Sequence, residues 1–178
     1  MSTIEQTRQG IPTGTWKADT VHSSVAFEVP YAVATFGGEV TDFEATLEDG
    51  KLSGSAKIES IHVKEENLQA HLLSPEFFDA EKHPVVSFSA SDIERDGDNV
   101  TVDGEITIKG ITKPIELTGQ VAEGGTDPWG NERIGFELET VIDRRDFDLK
   151  WNQTLPNGGL LVSNEVKLLV SVSAVKAA

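Results

Sequence analysis

An all-β fold, an antiparallel barrel of roughly eight strands with a short helical segment at about 64–80, is what this sequence of 178 residues predicts. Three features carry that prediction. Apolar and polar residues alternate with period 2 along most of the chain, which gives each extended run one dry face. Clusters of Gly, Asn, Asp and Pro separate the runs at hairpin-like intervals. Helices do not recur between the runs, so nothing supplies the crossovers that a parallel sheet requires.

The runs follow one another with little interruption. Val25, Phe27 and Val29 alternate with Ser24, Ala26 and Glu28, and Phe43, Ala45 and Leu47 alternate with Glu44, Thr46 and Glu48. Val86, Phe88 and Ala90 oppose Ser87, Ser89 and Ser91. Val100, Val102, Ile106 and Ile108 oppose Thr101, Asp103, Glu105 and Thr107. Ile115, Leu117 and Val121 continue the scheme, then Ile134, Phe136, Leu138 and Ile142, and last Val166, Leu168, Val170 and Val172. The turn signals are EDGK at 48–51, RDGDN at 95–99, KGITKP at 109–114 and DPWGNE at 127–132. Such a meander closes into a barrel or folds into a sandwich. Several runs reach about 10 residues, beyond the usual 5 to 6, which favours strands tilted around a barrel axis and a wall on the order of 25 Å high.

One segment breaks the pattern. KEENLQAHLL, residues 64–73, has good helix formers with Leu68, Leu72 and Leu73 on one side, and Ser74-Pro75 then starts a second short turn. That turn aims Phe77 and Phe78 at the barrel, either as a lid over one end or as the floor of a solid core. The dry register also holds small residues: Ala45, Gly54, Ala56, Ala90, Gly104 and Gly119. A single glycine there marks a bend or a close approach of backbone. Several in one register point to a lumen, since about eight strands enclose room for one small apolar guest.

Composition narrows the function. The expected organisation is a polar arm over 1–14 and one domain over 15–178. No apolar run approaches the roughly 20 residues of a transmembrane helix, and the start has no basic, apolar and small-residue succession of a signal peptide, so a cytoplasmic location is expected. There is no cysteine, hence no disulfide, thiolate metal site or cysteine nucleophile. A net charge of −15 repels phosphate backbones, which argues against nucleic acid as a partner. The arm leaves room for a homodimer.

Candidate chemistry is sparse. Asp19, His22 and Ser23 invite a triad, but 22 and 23 face opposite ways on a strand and no strained nucleophile elbow surrounds the serine. His62, His71 and His83 lack metal-ligand spacing, and Gly37-Gly38 and Gly158-Gly159 lack the context of a phosphate loop. Arg144, Arg145 and Lys150, beside Phe147 and Trp151, form the one local basic cluster. They serve either surface ion pairs or a polar headgroup at the mouth of a pore. No catalytic residue, metal or cofactor is expected.

Four blocks in order, WKADTVHSSVAFEV (16–29), HLLSPEFFDAEKHPVVSFSA (71–90), VDGEITIKGITKPIELTG (102–119) and RRDFDLKWN (144–152), resemble the YceI family of lipocalin-like proteins. The resemblance runs from about Trp16 to the C-terminus. It implies an extended lipocalin-like barrel whose apolar pore binds a polyisoprenoid lipid, an isoprenoid quinone or a polyprenyl chain, for storage or transport and not for catalysis. Matching positions include Trp16, Asp19, His22, Ser23 and Phe27, then His71, Leu72, Phe77, Phe78, Pro84 and Phe88. Gly104, Gly110, Thr112, Lys113 and Pro114 match the third block, and Arg145, Asp146 and Phe147 the fourth. Three departures fall near the polar end: Tyr31, Leu68-Gln69 and Asp148 stand where the family often has His, Arg-Asp and Gly.

The expected ligand-lining set follows the dry register strand by strand. It takes Phe27 and Val29, Phe43 and Ala45, Ala56 and Ile58, Phe88 and Ala90. It continues with Ile106, Leu117, Phe136, Leu138, Leu168 and Val170, joined by Leu72, Phe77, Phe78 and Phe147 from the irregular segments. Tyr31, Arg145 and Trp151 are the headgroup candidates. The competing expectations are a filled barrel acting as a structural or protein-interaction module, and an enzyme acting on an isoprenoid lipid.

Overall fold

A computed structural model describes residues 13–177, so nearly all of the arm expected over 1–14 lies outside the described residues. The described residues form eleven strands: β1 Thr15–Ala18, β2 Ser24–Tyr31, β3 Ala34–Val40, β4 Phe43–Glu48, β5 Lys51–Lys57, β6 Ile61–His62, β7 Val85–Asp96, β8 Asn99–Ile108, β9 Ile111–Thr126, β10 Glu132–Asp143 and β11 Glu165–Lys176. Several are halves of one broken strand. β11 pairs with β1 through Ala174–Lys176 and with β2 through Lys167–Ser171, while β4 pairs β1 and β3 pairs β2. β5 and β6 are likewise interrupted by the 3-10 turn Ile58–Ser60. Counted this way the sheet is eight antiparallel strands, and the β1–β11 pairing closes it into a barrel.

The alternation read from sequence decides which face turns inward. Along β10, Ile134, Phe136 and Leu138 are buried while Glu137 and Glu139 are exposed, and along β9 Ile115 and Leu117 are buried against exposed Glu116 and Thr118. Charged outward positions are the inverse of a membrane-spanning barrel, whose lipid-facing wall is apolar. No helix among the described residues is long and apolar enough to cross a membrane.

Turn chemistry sets the registers. Asp49-Gly50 and Lys109-Gly110 both have positive φ at their two central residues, the conformation that suits the twist of a two-residue hairpin. The second of these turns is shorter than the expected 109–114, because β9 already starts at Ile111. Pro114 is tolerated inside β9 because β10 joins that strand only from Thr118 onward, leaving one side without a ladder at the proline. In DPWGNE the Asp127 carboxylate accepts hydrogen bonds from the backbone N–H of Trp129 and Asn131, each 2.9 Å, and so organises the β9–β10 connection.

The expected helical segment is half helix. Helix α1 spans Glu66–Leu73, and the Glu65 carboxylate caps it by accepting from the Leu68 N–H at 2.6 Å. It stops where a proline follows, since Pro75 disfavours helical backbone at Ser74, which is extended at φ −74, ψ 166. Residues 74–80 are then hydrogen-bonded turns: Phe77 N–H donates to the Ser74 carbonyl and Phe78 N–H to that of Leu72.

Packed apolar side chains gather at both ends of the barrel. One cluster, around Leu47, Val100, Val102, Val121 and Ile134, closes the end that carries the β4–β5, β7–β8 and β9–β10 turns. The other, around Ile58, Ile61, Leu72, Phe77, Phe147 and Leu149, joins α1 and the segment after β10 to the opposite end.

Candidate ligand-binding site

Between these clusters the barrel is hollow. A cavity of about 590 Å³ runs from Trp16, Leu47 and Ala174 at the closed end to Tyr31, Phe36, His71 and Trp151 at the other. On β11 its wall extends from Val166 to Ala174, which at about 3.3 Å per residue and a tilt near 40° is roughly 20 Å. This size is ordinary for a small-molecule site, but the shape is a tunnel walled almost entirely by aliphatic and aromatic side chains.

Its girth comes from a rung of small residues. Ala45 on β4 lies opposite Gly54 on β5, between the pairs Phe43–Ala56 and Leu47–Leu52, and Gly54 in turn faces Phe88 on β7. The other two glycines of the dry register do a different job, which corrects the expectation that all of them open a lumen. A methyl group on Gly119 would collide with the Glu137 carbonyl oxygen of β10, and one on Gly104 would sit 2.7 Å from the Ala90 methyl. Both sit where neighbouring backbone comes close.

The expected lining residues Phe27, Val29, Phe43, Ala45, Ala56 and Ile58 border the cavity. So do Leu72, Phe77, Phe78, Phe88, Ile106, Leu117, Phe136, Leu138, Leu168 and Val170. Two do not. Ala90 is buried in the closed-end cluster, where it packs over Gly104, and Phe147 points into the packed cluster at the other end. Several residues on the wall escaped the sequence reading. Val86, Ile142, Val166 and Val172 continue dry registers already traced and were legible in principle, whereas Leu149 and Val162 lie in the irregular stretch 148–164, where no periodicity exists.

The mouth is aromatic. The His71 ring meets Trp151 edge-on at 4.7 Å and Phe77 at 4.9 Å, and its Nε2 lies 2.5 Å from the Glu76 carboxylate. Tyr31 packs edge-on against Phe36 at 5.9 Å. The wall is incomplete here: β3 is paired on its far edge only at Glu39 and Val40, and Phe36 with Glu65, Asn67 and Leu68 of the α1 start border the cavity.

Of the three headgroup candidates, Tyr31 and Trp151 border the cavity and Arg145 does not. The Arg145 guanidinium lies in solvent and grips Asp143 through Nε and Nη2, holding that carboxyl at about 2, well below its usual range. The neighbouring Arg144 is the cation on the wall. It is 3% exposed, and it is the one Lys or Arg among the residues bordering the cavity. The signal was present in the sequence, because the inward register of β10, even-numbered from Ile134 to Ile142, continues to 144 and leaves 145 outside.

The polar groups near β1 are structural. His22 and Asp19 are 2.7 Å apart, but the Ser23 hydroxyl donates to the Ser173 carbonyl and accepts from the Ser173 N–H, tying the chain to β11. Asp19 also accepts from Arg133, whose Nε reaches Asp127 at 2.8 Å. Among the described residues no three His, Asp or Glu side chains converge as a metal site.

Fold and site together define a closed antiparallel barrel with an apolar tunnel and an aromatic mouth. The family model described as YceI-like domain matches residues 16–174, and the chain belongs to that family. A UPF0312 protein of Pectobacterium atrosepticum is 30% identical over 163 residues, covering 87% of this chain and 82% of the relative. Protein YceI of Escherichia coli is 31% identical over 141 residues, covering 79% and 71%. Among solved structures, BcnA of Burkholderia cenocepacia superposes with a TM-score of 0.77 at 19% identity, covering 88% of this chain and 98% of that one. The YceI protein of Campylobacter jejuni gives 0.72 at 26%, covering 84% and 90%. A polyisoprenoid binding domain from Saccharophagus degradans gives 0.67 at 13%, covering 91% and 98%.

Proposed function

We propose that the protein binds a long-chain isoprenoid lipid inside the barrel and sequesters it for storage or carriage. The observation that carries this reading is the tunnel of about 590 Å³, long, narrow and lined by hydrocarbon. Interiors of proteins normally leave few voids, so an apolar space of this size is held open for a guest. Each CH₂ moved from water into it contributes about 0.8 kcal/mol, so a few isoprene units supply substantial affinity before any polar contact forms. Wall curvature made by Val, Leu, Ile and Phe suits a methyl-branched chain and discriminates by girth and length. The Saccharophagus degradans domain, described as polyisoprenoid binding, shares the barrel architecture at 13% identity.

Organic extraction of the purified protein followed by mass spectrometry tests the proposal. A prenyl lipid at close to one per barrel is expected, and stripped protein should take up geranylgeraniol. Protein that carries no lipid and takes up none would overturn it.

A further inference from the structure

Arg144 is an anomaly in an otherwise hydrocarbon wall. Its backbone is fixed at the start of the 3-10 turn Arg144–Phe147, where its N–H donates to the Asn164 carbonyl. Its side chain is held from two directions: Nε donates to the Ser163 carbonyl at 2.9 Å and Nη1 to the Leu149 carbonyl at 2.5 Å. Among the described residues Nη2 has no hydrogen-bond partner, and it is closed to water. Nor does a carboxylate touch it. Asp143, the nearest candidate in the chain, is engaged by Arg145, and Arg144 forms no ion pair among the described residues. Desolvation weakens its hold on its proton and outweighs the through-space attraction of the Asp143 carboxylate.

A buried guanidinium with a free donor and no carboxylate costs several kcal/mol relative to a paired one, and apolar side chains could fill the same place without that cost. Two backbone carbonyls nevertheless hold it rigidly at the cavity wall. With Nε and Nη1 donating to carbonyls, Nη2 keeps its N–H donors for an anionic oxygen, a charge-assisted hydrogen bond stronger than one to a neutral hydroxyl. We infer that Arg144 is the anchor for an acidic headgroup, so that the barrel takes long-chain lipids ending in a phosphate or carboxylate, head at the Arg144 end and tail toward Trp16 and Leu47. Nη2 is closed to solvent, so contact with the head requires the side chains over it to shift. This inference rests on the lipid-binding reading above and adds polarity and direction to it.

Matched ligands test it. Geranylgeranyl phosphate and geranylgeraniol share a tail and differ only at the head, and their affinities for the stripped protein are measured by displacement of a fluorescent lipid, with inorganic phosphate as a third arm. The phosphate ester should bind about tenfold to a hundredfold more tightly than the alcohol, the range of a charge-assisted hydrogen bond. Arg144→Met should abolish the difference in affinity between ester and alcohol, while Arg144→Lys should retain part of it. Equal affinity of ester and alcohol for the unaltered protein overturns the inference without any variant, as does an Arg144→Met protein that keeps the preference. Tight binding of inorganic phosphate alone would also overturn it, by showing an anion site independent of the tail. Should neither prenyl compound bind, the lipid-binding reading itself fails; should the alcohol bind without preference for the ester, only the anchor does.

Discussion

Filling the Ala45–Gly54 rung should shorten the tunnel without unfolding the barrel. Ala45 faces Gly54 directly across β4 and β5, a Cβ at Gly54 would lie 3.6 Å from the Ala45 methyl, and both residues border the cavity. Phe43 lies on the mouth side of this rung and Leu47 on the closed side. Ala45→Phe places a ring of six carbons across the tunnel at mid-height and expels a comparable length of tail. At about 0.8 kcal/mol per CH₂ the loss approaches 5 kcal/mol, on the order of a thousandfold in affinity, for a chain that needs the deep half. A short chain confined to the mouth side loses little. Displacement of a fluorescent lipid by geraniol, farnesol and geranylgeraniol reads this as a length-dependent penalty: near-normal geraniol binding and the greatest loss for geranylgeraniol. Because the ring enters empty space, the denaturation midpoint should hold or rise. An equal loss for all three alcohols, or none in a correctly folded variant, would refute a continuous tunnel past this rung.

Other consequences concern the frame around the tunnel. Gly119→Ala drives a methyl into the Glu137 carbonyl and the Leu138 backbone, neither of which can rotate away, so urea denaturation should show a loss of about 1–3 kcal/mol or more. Phe77 is 6% exposed and packed against His71 and Trp151, so Phe77→Ala should cost about 3–5 kcal/mol of folding; the half-buried Phe78 should cost less when truncated and chiefly alter lipid exchange. Asp127 is held at about 2 by Arg133, and Asp19 at about 2 by His22 and then Arg133. Their ordinary value is 3.8, so between about pH 4 and pH 2 the unfolded chain binds more protons than the folded one. The stability these two groups contribute is complete above that window and falls away as pH drops through it. NMR titration of the carboxyl carbons should show both low values, and Arg133→Met should raise Asp127 toward 3.8.

How the chain folds was largely legible because strand faces are a local property. Period-2 alternation in Phe27–Val29, Ile134–Leu138 and Leu168–Val170 assigns inward and outward sides one residue at a time, and Asp49-Gly50 or Lys109-Gly110 specify hairpins from two residues. The same register, carried one step past Ile142, separates Arg144 from Arg145, two adjacent cations that only parity distinguishes. The helix ended where Pro75 follows Ser74, again a local effect.

What the sequence by itself determined, then, was the set of dry faces, the connections between them and the presence of small side chains on the inside. Whether those small residues left space was decided by tertiary approach. A methyl on Gly54 would meet the Glu44 carbonyl oxygen at 3.0 Å and the Ala45 methyl at 3.6 Å, whereas one on Gly104 or Gly119 would collide outright with the backbone of the next strand, and no local pattern distinguishes the two cases. The irregular stretch 148–164 belongs to the same category: Leu149, Trp151 and Val162 reach the tunnel, and two of its carbonyls hold the Arg144 side chain, through contacts between residues distant in sequence. A periodic strand carries its own orientation, but a cavity is the volume that several strands jointly fail to fill, and that volume exists only once they are assembled.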